Sequence, residues 1–217
     1  MTLSEENYLK TIYHLKTDDN KGISTNAIAE KIDAKASSVT DMLKKLAEKN
    51  LVRYKKYQGV KLTDEGKLYA AKIVRKHRLW EVFLVEKLNF TWDEVHVVAE
   101  ELEHIQSEKL VEELDAFLDY PKIDPHGDPI PDKDGKIQVL SKVLLNSLQE
   151  HDKGIFVGVE NSSPEFLQYL DKLQLALGHE VEVLGIEPFD QSMEIQLKGE
   201  KITVSSLTAS NIYIKKL

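Results

Sequence analysis

The sequence predicts a mainly α-helical chain with a small β domain at its C-terminal end. Apolar residues recur with the helical spacing i, i+3, i+4 and i+7 in several segments up to about residue 118. Residues 121–135 are rich in Pro, Gly and Asp, which is too punctuated for a helix. Residues 137–217 contain short strand-like segments instead. Helices, a loop and a small β-barrel or sandwich are therefore expected in that order.

The first 63 residues have the order of a winged helix-turn-helix. Ser24 can cap the second helix, and the two basic strand-like segments meet around Gln58 and Gly59. Helix, helix, turn, helix and basic hairpin is the order of this motif. The expected elements are helices at 6–15, 25–32 and 37–50, a loop at 18–22, and strands at 51–57 and 60–63.

The sequence pattern in the middle of the chain predicts helices only. Thr63 or Asp64 can cap a long helix that continues to about Leu88, and a second helix is expected over residues 93–107. A third helix follows, and a second copy of the chain is the expected partner of its apolar stripe. The stripe consists of Leu110, Leu114, Phe117 and Leu118.

The strand-like segments come last. Each is short, and turn residues separate it from the next. The five expected strands cover residues 155–160, 179–187, 193–198, 200–205 and 211–217.

The charge distribution is uneven, although the chain of 217 residues has a net charge of −8. Residues 1–78 contain 17 Lys and Arg against 10 Asp and Glu, whereas residues 79–120 contain two basic residues against twelve acids. This division favours a polyanion as partner of the first part and a cation as partner of the second. The absence of Cys excludes disulfides and thiolate metal sites. No apolar run approaches the ~18 residues of a membrane span, and the N-terminus lacks a secretory signal, so we expect a cytoplasmic protein.

The helix-turn-helix and the hairpin provide candidate DNA contacts. Hydroxyl and amide groups at the start of the third helix can meet phosphates and base edges in a major groove. The hairpin has no acid between Leu51 and Leu62, as expected of a wing that lies on a phosphate backbone. The candidates are Ser37, Ser38, Thr40, Asp41, Lys44 and Lys45 on the helix, and Arg53, Lys55, Lys56 and Lys61 on the wing.

The acidic helices provide candidate metal ligands. Glu100, Glu103 and His104 are i, i+3 and i+4 neighbours, so three ligand atoms can converge on one ion. His77 and Glu81 form a second pair one turn apart, and neighbouring carboxylates repel each other unless a cation neutralises them. His96 lies on the same side of its helix as Glu100.

In this arrangement the chain resembles the family of the diphtheria toxin repressor and the manganese transport regulator. The resemblance runs in order over about residues 4–131 and rests on EENYLKTIYHL, SSVTDMLKKL, the wing, LTDEGK, RKHRLWEVFL, VHVVAEELEHIQS and PHGDPIP. The C-terminal strands resemble more loosely the SH3-like (FeoA-like) domain of the family. The resemblance implies three domains: a DNA-binding domain at 1–72, a helical metal-binding and dimerisation domain at 73–136, and the SH3-like domain at 137–217.

The family resemblance also implies a function. It is that of a homodimeric, metal-dependent repressor that binds a palindromic operator in double-stranded DNA and controls metal uptake genes. The implied primary site consists of Asn7, His77, Glu100, Glu103 and His104. Asn7 departs from the methionine or aspartate of the family, and Lys10 replaces a glutamate ligand of some manganese members. The implied second site draws on Glu81, His96 or His126, Asp124 and Glu160.

The candidate ligands are imidazole, carboxylate and amide groups, which suit Mn(II) or Fe(II). Glu100 stands where manganese-type members carry glutamate, so Mn(II) is expected first and Fe(II) next, and Zn(II) or Co(II) can occupy such a site in vitro.

Two alternatives remain open from the sequence. A winged-helix regulator that responds to an organic ligand or a partner protein would need no metal. A di-iron carboxylate enzyme would use the E-x-x-H of Glu101 to His104, but such a site needs two copies and the chain has one.

Overall fold

The computed structural model describes residues 1–15, 22–138 and 141–217, so most of the expected loop at 18–22 lies outside the described residues. The chain forms two compact units. The first contains Met1–Trp80, Ala99–Ala116 and Ile130–Ile137, and the second contains Glu81–Val98, Phe117–Pro129 and Gln138–Leu217. Within these described ranges, no helix is both long and apolar enough to cross a membrane.

The order of elements in the structure follows the expected order. The helices are α1 Leu3–His14, α2 Thr25–Lys31, α3 Ala36–Glu48, α4 Asp64–Leu88, α5 Val95–Leu102, α6 Glu108–Phe117, α7 Pro164–Lys172 and α8 Ser206–Ala209. The strands are β1 Val52–Lys55, β2 Gly59–Leu62, β3 Val143–Leu144, β4 Lys153–Val159, β5 Glu180–Ile186, β6 Met193–Leu197, β7 Glu200–Val204 and β8 Ile212–Lys216. A 3-10 helix covers Leu145–Ser147.

Helices α1 to α3 and the β1–β2 hairpin share one apolar core, whose fully buried members include Leu9, Ile28, Leu43 and Leu46. Helix α1 begins earlier than expected because Thr2 forms a capping box with Glu5. The hairpin pairs Val52 with Leu62 and Lys55 with Gly59. Gly59 has φ +84°, and a Cβ there would lie 2.5 Å from the Ile23 carbonyl oxygen, so the turn of the wing requires glycine. The winged helix-turn-helix is thus confirmed.

Helix α4 is capped by Thr63, whose Oγ1 accepts the Gly66 N–H at 3.0 Å. Helix α5 is shorter than the expected helix at 93–107 because turns replace the helix at both ends. Glu103 and His104 therefore lie in the turn after α5, although the Glu103 N–H still donates to the Ala99 carbonyl at 2.9 Å.

The apolar stripe of α6 divides into buried and exposed side chains. Leu114 and Leu118 are buried, whereas Leu110 and Phe117 are exposed.

The C-terminal domain contains a six-stranded sheet in the order β3-β8-β4-β5-β6-β7, and each pair of neighbouring strands in it is antiparallel. All five expected strands are present. Two further elements were not expected from the sequence: β3, which has only two residues, and α7, which Ser163 caps and which has Pro164 at its first turn. Phe156, Leu167, Leu170 and Ile195 are fully buried in the core between α7 and the sheet.

Candidate metal centre and DNA-binding surface

The second unit contains a buried cluster of two carboxylates and one imidazole. Glu81 of α4, Asp124 and His126 are 2%, 4% and 7% exposed, and one potential ligand atom of each lies within 4.8 Å of the other two. His126 Nδ1 lies 3.6 Å from Glu81 Oε2. Residues far apart in sequence thus meet in one small polar space.

A tight turn positions Asp124 and His126. The Asp124 side chain accepts the backbone N–H groups of His126 and Asp128 at 2.8 and 3.0 Å. Gly127 has φ +85°, and a Cβ at this position would lie 1.9 Å from the Val157 carbonyl oxygen of β4. Because the turn contacts β4 backbone to backbone, glycine is required here.

The orientation of the His126 ring follows from its other nitrogen. Nε2 lies 2.7 Å from the Trp92 carbonyl oxygen, which only accepts hydrogen bonds, so Nε2 carries a proton and donates it. Nδ1 is thereby directed toward Glu81. Burial by itself lowers the pKa of His126, but Glu81 and Asp124 outweigh burial and raise that pKa to about 9.

His96 and Glu160 lie at the margin of this cluster. His96 Nδ1 is 3.4 Å from Glu81 Oε1, and its side chain is about half exposed. Glu160 is exposed and accepts a hydrogen bond from the Tyr213 hydroxyl. The preceding residue, Val159, donates its N–H to the His126 carbonyl at 3.0 Å, so Glu160 follows directly on the backbone that contacts the turn.

The Glu81–Asp124–His126 cluster fits a divalent cation. Two carboxylates close together need a positive charge between them, and a buried carboxylate is costly without one. Carboxylate and imidazole ligands suit Mn(II) and Fe(II), with neutral imidazole binding through the nitrogen that its hydrogen bond leaves free.

The first unit contains a second polar cluster around Glu103. Its side chain is fully buried, and His77 Nδ1 lies 2.6 Å from Oε2. Lys10 Nζ lies 2.7 Å from Glu103 Oε1 and 3.0 Å from Glu100 Oε1. Burial raises the pKa of Glu103, but His77 and Lys10 together hold it below its usual value.

His104 contacts helix α1 through Glu6, which was not among the ligands expected from the sequence. His104 Nδ1 lies 2.6 Å from Oε2 of Glu6, which is fully buried and also accepts a hydrogen bond from Gln106. Asn7, the expected ligand from α1, is exposed. Glu6 and Lys10 are one turn apart on α1, and this i, i+4 pairing was the signal available in the sequence.

The expected DNA contacts all lie at the surface. Thr40 is half-buried and donates its hydroxyl to the Ala36 carbonyl at 2.9 Å, and Asp41 pairs with Lys44 at 3.2 Å. The exposed candidates are Ser37, Ser38, Asp41, Lys44, Lys45, Arg53, Lys55, Lys56 and Lys61.

Tyr57, at the tip of the wing, was not among the DNA contacts expected from the sequence. It is 94% exposed, and Lys56 Nζ lies 5.0 Å from its ring centroid. An aromatic residue within a basic hairpin was the available signal.

Known family models match three successive parts of the chain. An iron dependent repressor N-terminal DNA binding domain matches residues 1–60, and an iron dependent repressor metal binding and dimerisation domain matches residues 63–132. A FeoA domain matches residues 143–216. The first two are families of repressors, not of enzymes.

Individual relatives give the same picture. The iron-dependent repressor IdeR of Mycobacterium bovis is 34% identical over 126 residues, which are 58% of this chain and 54% of that protein. The chain therefore spans about half the length of this relative. The HTH-type transcriptional regulator MntR of Oceanobacillus iheyensis is 33% identical over 150 residues, which are 69% of this chain and 94% of that protein.

A solved structure of a manganese-dependent transcriptional repressor in complex with manganese is also similar. Its TM-score is 0.88 at 34% identity, with 98% of this chain and 100% of that chain covered. The expected domain order, with a winged helix-turn-helix, a helical dimerisation domain and a C-terminal β domain, is confirmed. The chain belongs to the family of iron- and manganese-dependent repressors that includes the diphtheria toxin repressor, IdeR and MntR.

Proposed function

We propose that this protein is a metal-dependent transcriptional repressor that binds a palindromic operator as a homodimer when Mn(II) or Fe(II) is bound, and so controls metal uptake genes. One observation carries the proposal: the chain that contains a basic winged helix-turn-helix also contains the buried Glu81–Asp124–His126 cluster. Two buried carboxylates side by side with an imidazole are a set of groups that suits a divalent cation.

Glu81, Asp124 and His126 are the central metal ligands in this proposal. His96 and Glu160 are ligands at its margin, the first through its distance to Glu81 and the second through its place after Val159. When bound, a divalent ion would supply positive charge that neutralises the two carboxylates and links α4 to the turn at residues 124–128. Trp92 would orient His126, and Asp124 would hold the turn with its own side chain.

Mn(II) is the preferred ion in the proposal, and Fe(II) is the next. The ligand atoms are carboxylate oxygens and imidazole nitrogen, and the chain has no Cys. A similar protein was solved in complex with manganese. Zn(II) and Co(II) bind such ligands more tightly by the usual affinity order, so the choice of metal depends on geometry and supply.

The DNA-binding surface is proposed to consist of the start of α3 and the wing. Exposed Ser37 and Ser38 precede the buried Val39, so they face away from the core at the helix end that enters a major groove. The wing residues Arg53, Lys55 and Lys56 are exposed cations that suit phosphate contacts.

A homodimer would supply two such DNA-binding surfaces. The second unit exposes several large apolar side chains in the region that matches the dimerisation family, which favours a protein partner there. They are Leu88, Val97, Phe117 and Tyr120. Two-fold symmetry in the protein implies a palindromic operator.

The test is DNA binding by fluorescence anisotropy at fixed salt, with DNA from the region upstream of the protein's own gene. The protein is titrated with chelator and then with Mn(II), Fe(II) or Zn(II). We expect binding at nanomolar to micromolar protein only with metal. Equal binding in chelator would contradict the proposal and favour a winged-helix regulator that responds to an organic ligand or a partner protein.

A further inference from the structure

Lys10 of α1 occupies the centre of the Glu100–Glu103 cluster. Its Nζ lies 3.0 Å from Glu100 Oε1, and 2.7 and 2.8 Å from the two Glu103 oxygens. The lysine side chain is only 13% exposed, and that of Glu103 is fully buried. His77 contacts Glu103 Oε2 at 2.6 Å. The buried carboxylate thus already has a protein cation.

We propose that Lys10 is a built-in cation that competes with metal at this cluster, so that a divalent ion binds to Glu100 and Glu103 only after the Lys10 side chain withdraws. The inference rests on the proposed function only in that both concern the binding of the same metal to this protein. It assigns the tight binding of metal to the Glu81–Asp124–His126 cluster and weaker binding to the cluster around Glu103.

The physical reason is electrostatic. Hard divalent cations bind oxygen ligands at about 2.0–2.6 Å. An ion that bridged Glu100 and Glu103 would therefore meet the ammonium group at close range, because Lys10 Nζ lies within 3.0 Å of both carboxylates. Two positive charges at such a distance repel strongly where burial excludes solvent. Withdrawal of Lys10 also costs its two ion pairs, one of them to a buried carboxylate.

The ion pairs of Lys10 also connect two segments of the protein. Lys10 belongs to α1 of the winged helix-turn-helix. Glu100 lies on α5, and Glu103 lies in the turn that follows α5. The ion pairs therefore join α1 to the α5 region without any metal. The Glu6–His104 contact joins the same two segments.

The test is a Mn(II) titration of the full chain, measured by the EPR signal of free Mn(II) and by isothermal titration calorimetry. Wild type is compared with Lys10→Met and with Lys49→Met, a matched control because Lys49 pairs with Glu5 in the same winged helix-turn-helix. We expect one tight Mn(II) per wild-type chain. Lys10→Met should gain a second ion, or bind it at least about tenfold more tightly, and Lys49→Met should behave as wild type.

Two further variants keep the outcome interpretable. Lys10→Gln keeps a hydrogen-bond donor without the charge, and it replaces Lys10→Met if circular dichroism shows that the methionine variant is unfolded. The double variant Lys10→Met, Glu103→Gln should lose the gained ion. Thermal unfolding gives an independent signal: without metal the lysine variant should melt earlier than wild type, and Mn(II) should raise its Tm more.

The outcomes separate the two proposals. If Lys10→Met and Lys10→Gln both bind the same number of ions as wild type with the same affinities, the role of Lys10 is overturned. If wild type binds no Mn(II) but Lys10→Met binds one, the proposed function fails and the role of Lys10 stands. If neither protein binds Mn(II), both are overturned.

Discussion

The Trp92 carbonyl oxygen and His126 Nε2 lie 2.7 Å apart, so the backbone of one residue sets the ring orientation of the other. The rings of the two residues are also nearly parallel, with an interplanar angle of 9°. This contact leaves Nδ1 of His126 facing Glu81, which is the orientation that a shared ligand site requires.

Replacement of His126 should therefore abolish metal-dependent DNA binding. We expect His126→Asn to weaken Mn(II) binding by about 10–100-fold or more, since loss of even a supporting residue of a metal site has an effect of that size. Metal-free DNA binding at low salt should stay unchanged because the wing is intact. His151→Asn is the control: His151 is exposed with φ +70°, which asparagine tolerates. Full stimulation of His126→Asn by Mn(II) would contradict the ligand assignment.

Gly127 should tolerate no side chain. Gly127→Ala adds a Cβ 1.9 Å from the Val157 carbonyl oxygen and also forces alanine to φ +85°. Gly178→Ala isolates the second effect, because Gly178 has φ +86° and open space around its Cβ position. We expect a loss of about 1–2 kcal/mol for Gly178→Ala and a clearly larger loss for Gly127→Ala, measured by urea unfolding. Equal losses would mean that the turn does not pack against β4 as described.

Lys55 on the wing should contribute one phosphate contact. Lys55→Ala is expected to weaken binding to all DNA sequences about equally, and to reduce the slope of log K against log salt by about 0.9. Lys201→Ala serves as the control, since Lys201 is an exposed lysine of β7 that pairs with Glu194. A loss of affinity confined to one base pair of the operator would show that Lys55 reads a base instead.

The Lys49–Glu5 pair should stabilise the winged helix-turn-helix in a pH-dependent way. The hydrogen bond from Lys49, with that from the Thr2 backbone, holds the pKa of Glu5 below its usual 4.5. Since the lowered pKa belongs to the folded state, the stabilisation is fully present above about pH 4.5 and is lost as the pH falls through the folded-state pKa.

Lys49→Met should accordingly reduce the free energy of unfolding at pH 7 by no more than about 1 kcal/mol, because Lys49 is half exposed. The difference from wild type should shrink toward pH 3. Lys67→Met, which removes a 3.9 Å pair with the fully exposed Asp64, should have little effect at either pH. Denaturant unfolding at both pH values measures this, and a difference that grows toward pH 3 would refute the sign.

Local patterns in the sequence were sufficient for most of the elements. The helical spacing of Leu9, Ile12, Val39 and Leu43 identifies α1 and α3, and all four side chains are buried. Alternation identified five strands of the C-terminal sheet. The two-residue β3 was not predicted because so short a strand shows no periodicity of apolar residues. Helix α7 was not predicted because its Ser-Pro cap lies inside a region whose other segments have the pattern of strands.

The composition of the candidate sites was only partly predictable. The sequence identified Glu81 through its spacing from His77, and Asp124 and His126 through a family resemblance. It did not bring the three together, because no local spacing relates Glu81 to residues more than 40 positions away. The sequence also could not show whether Glu6 or Asn7 contacts His104. Adjacent residues on a helix point about 100° apart, and only the packing of α1 determines which one faces His104.

The family, the winged helix-turn-helix, the charge division and the types of ligand could all be predicted from the sequence, since each depends on residue identity and short-range spacing. Which ligands meet, and which cation neutralises them, follows only from the packing of the folded chain. Lys10 shows why: its charge is evident in the sequence, but its position between Glu100 and Glu103 depends on contacts across 90 and 93 residues. Electrostatic energy depends on distance in space, and packing alone sets that distance.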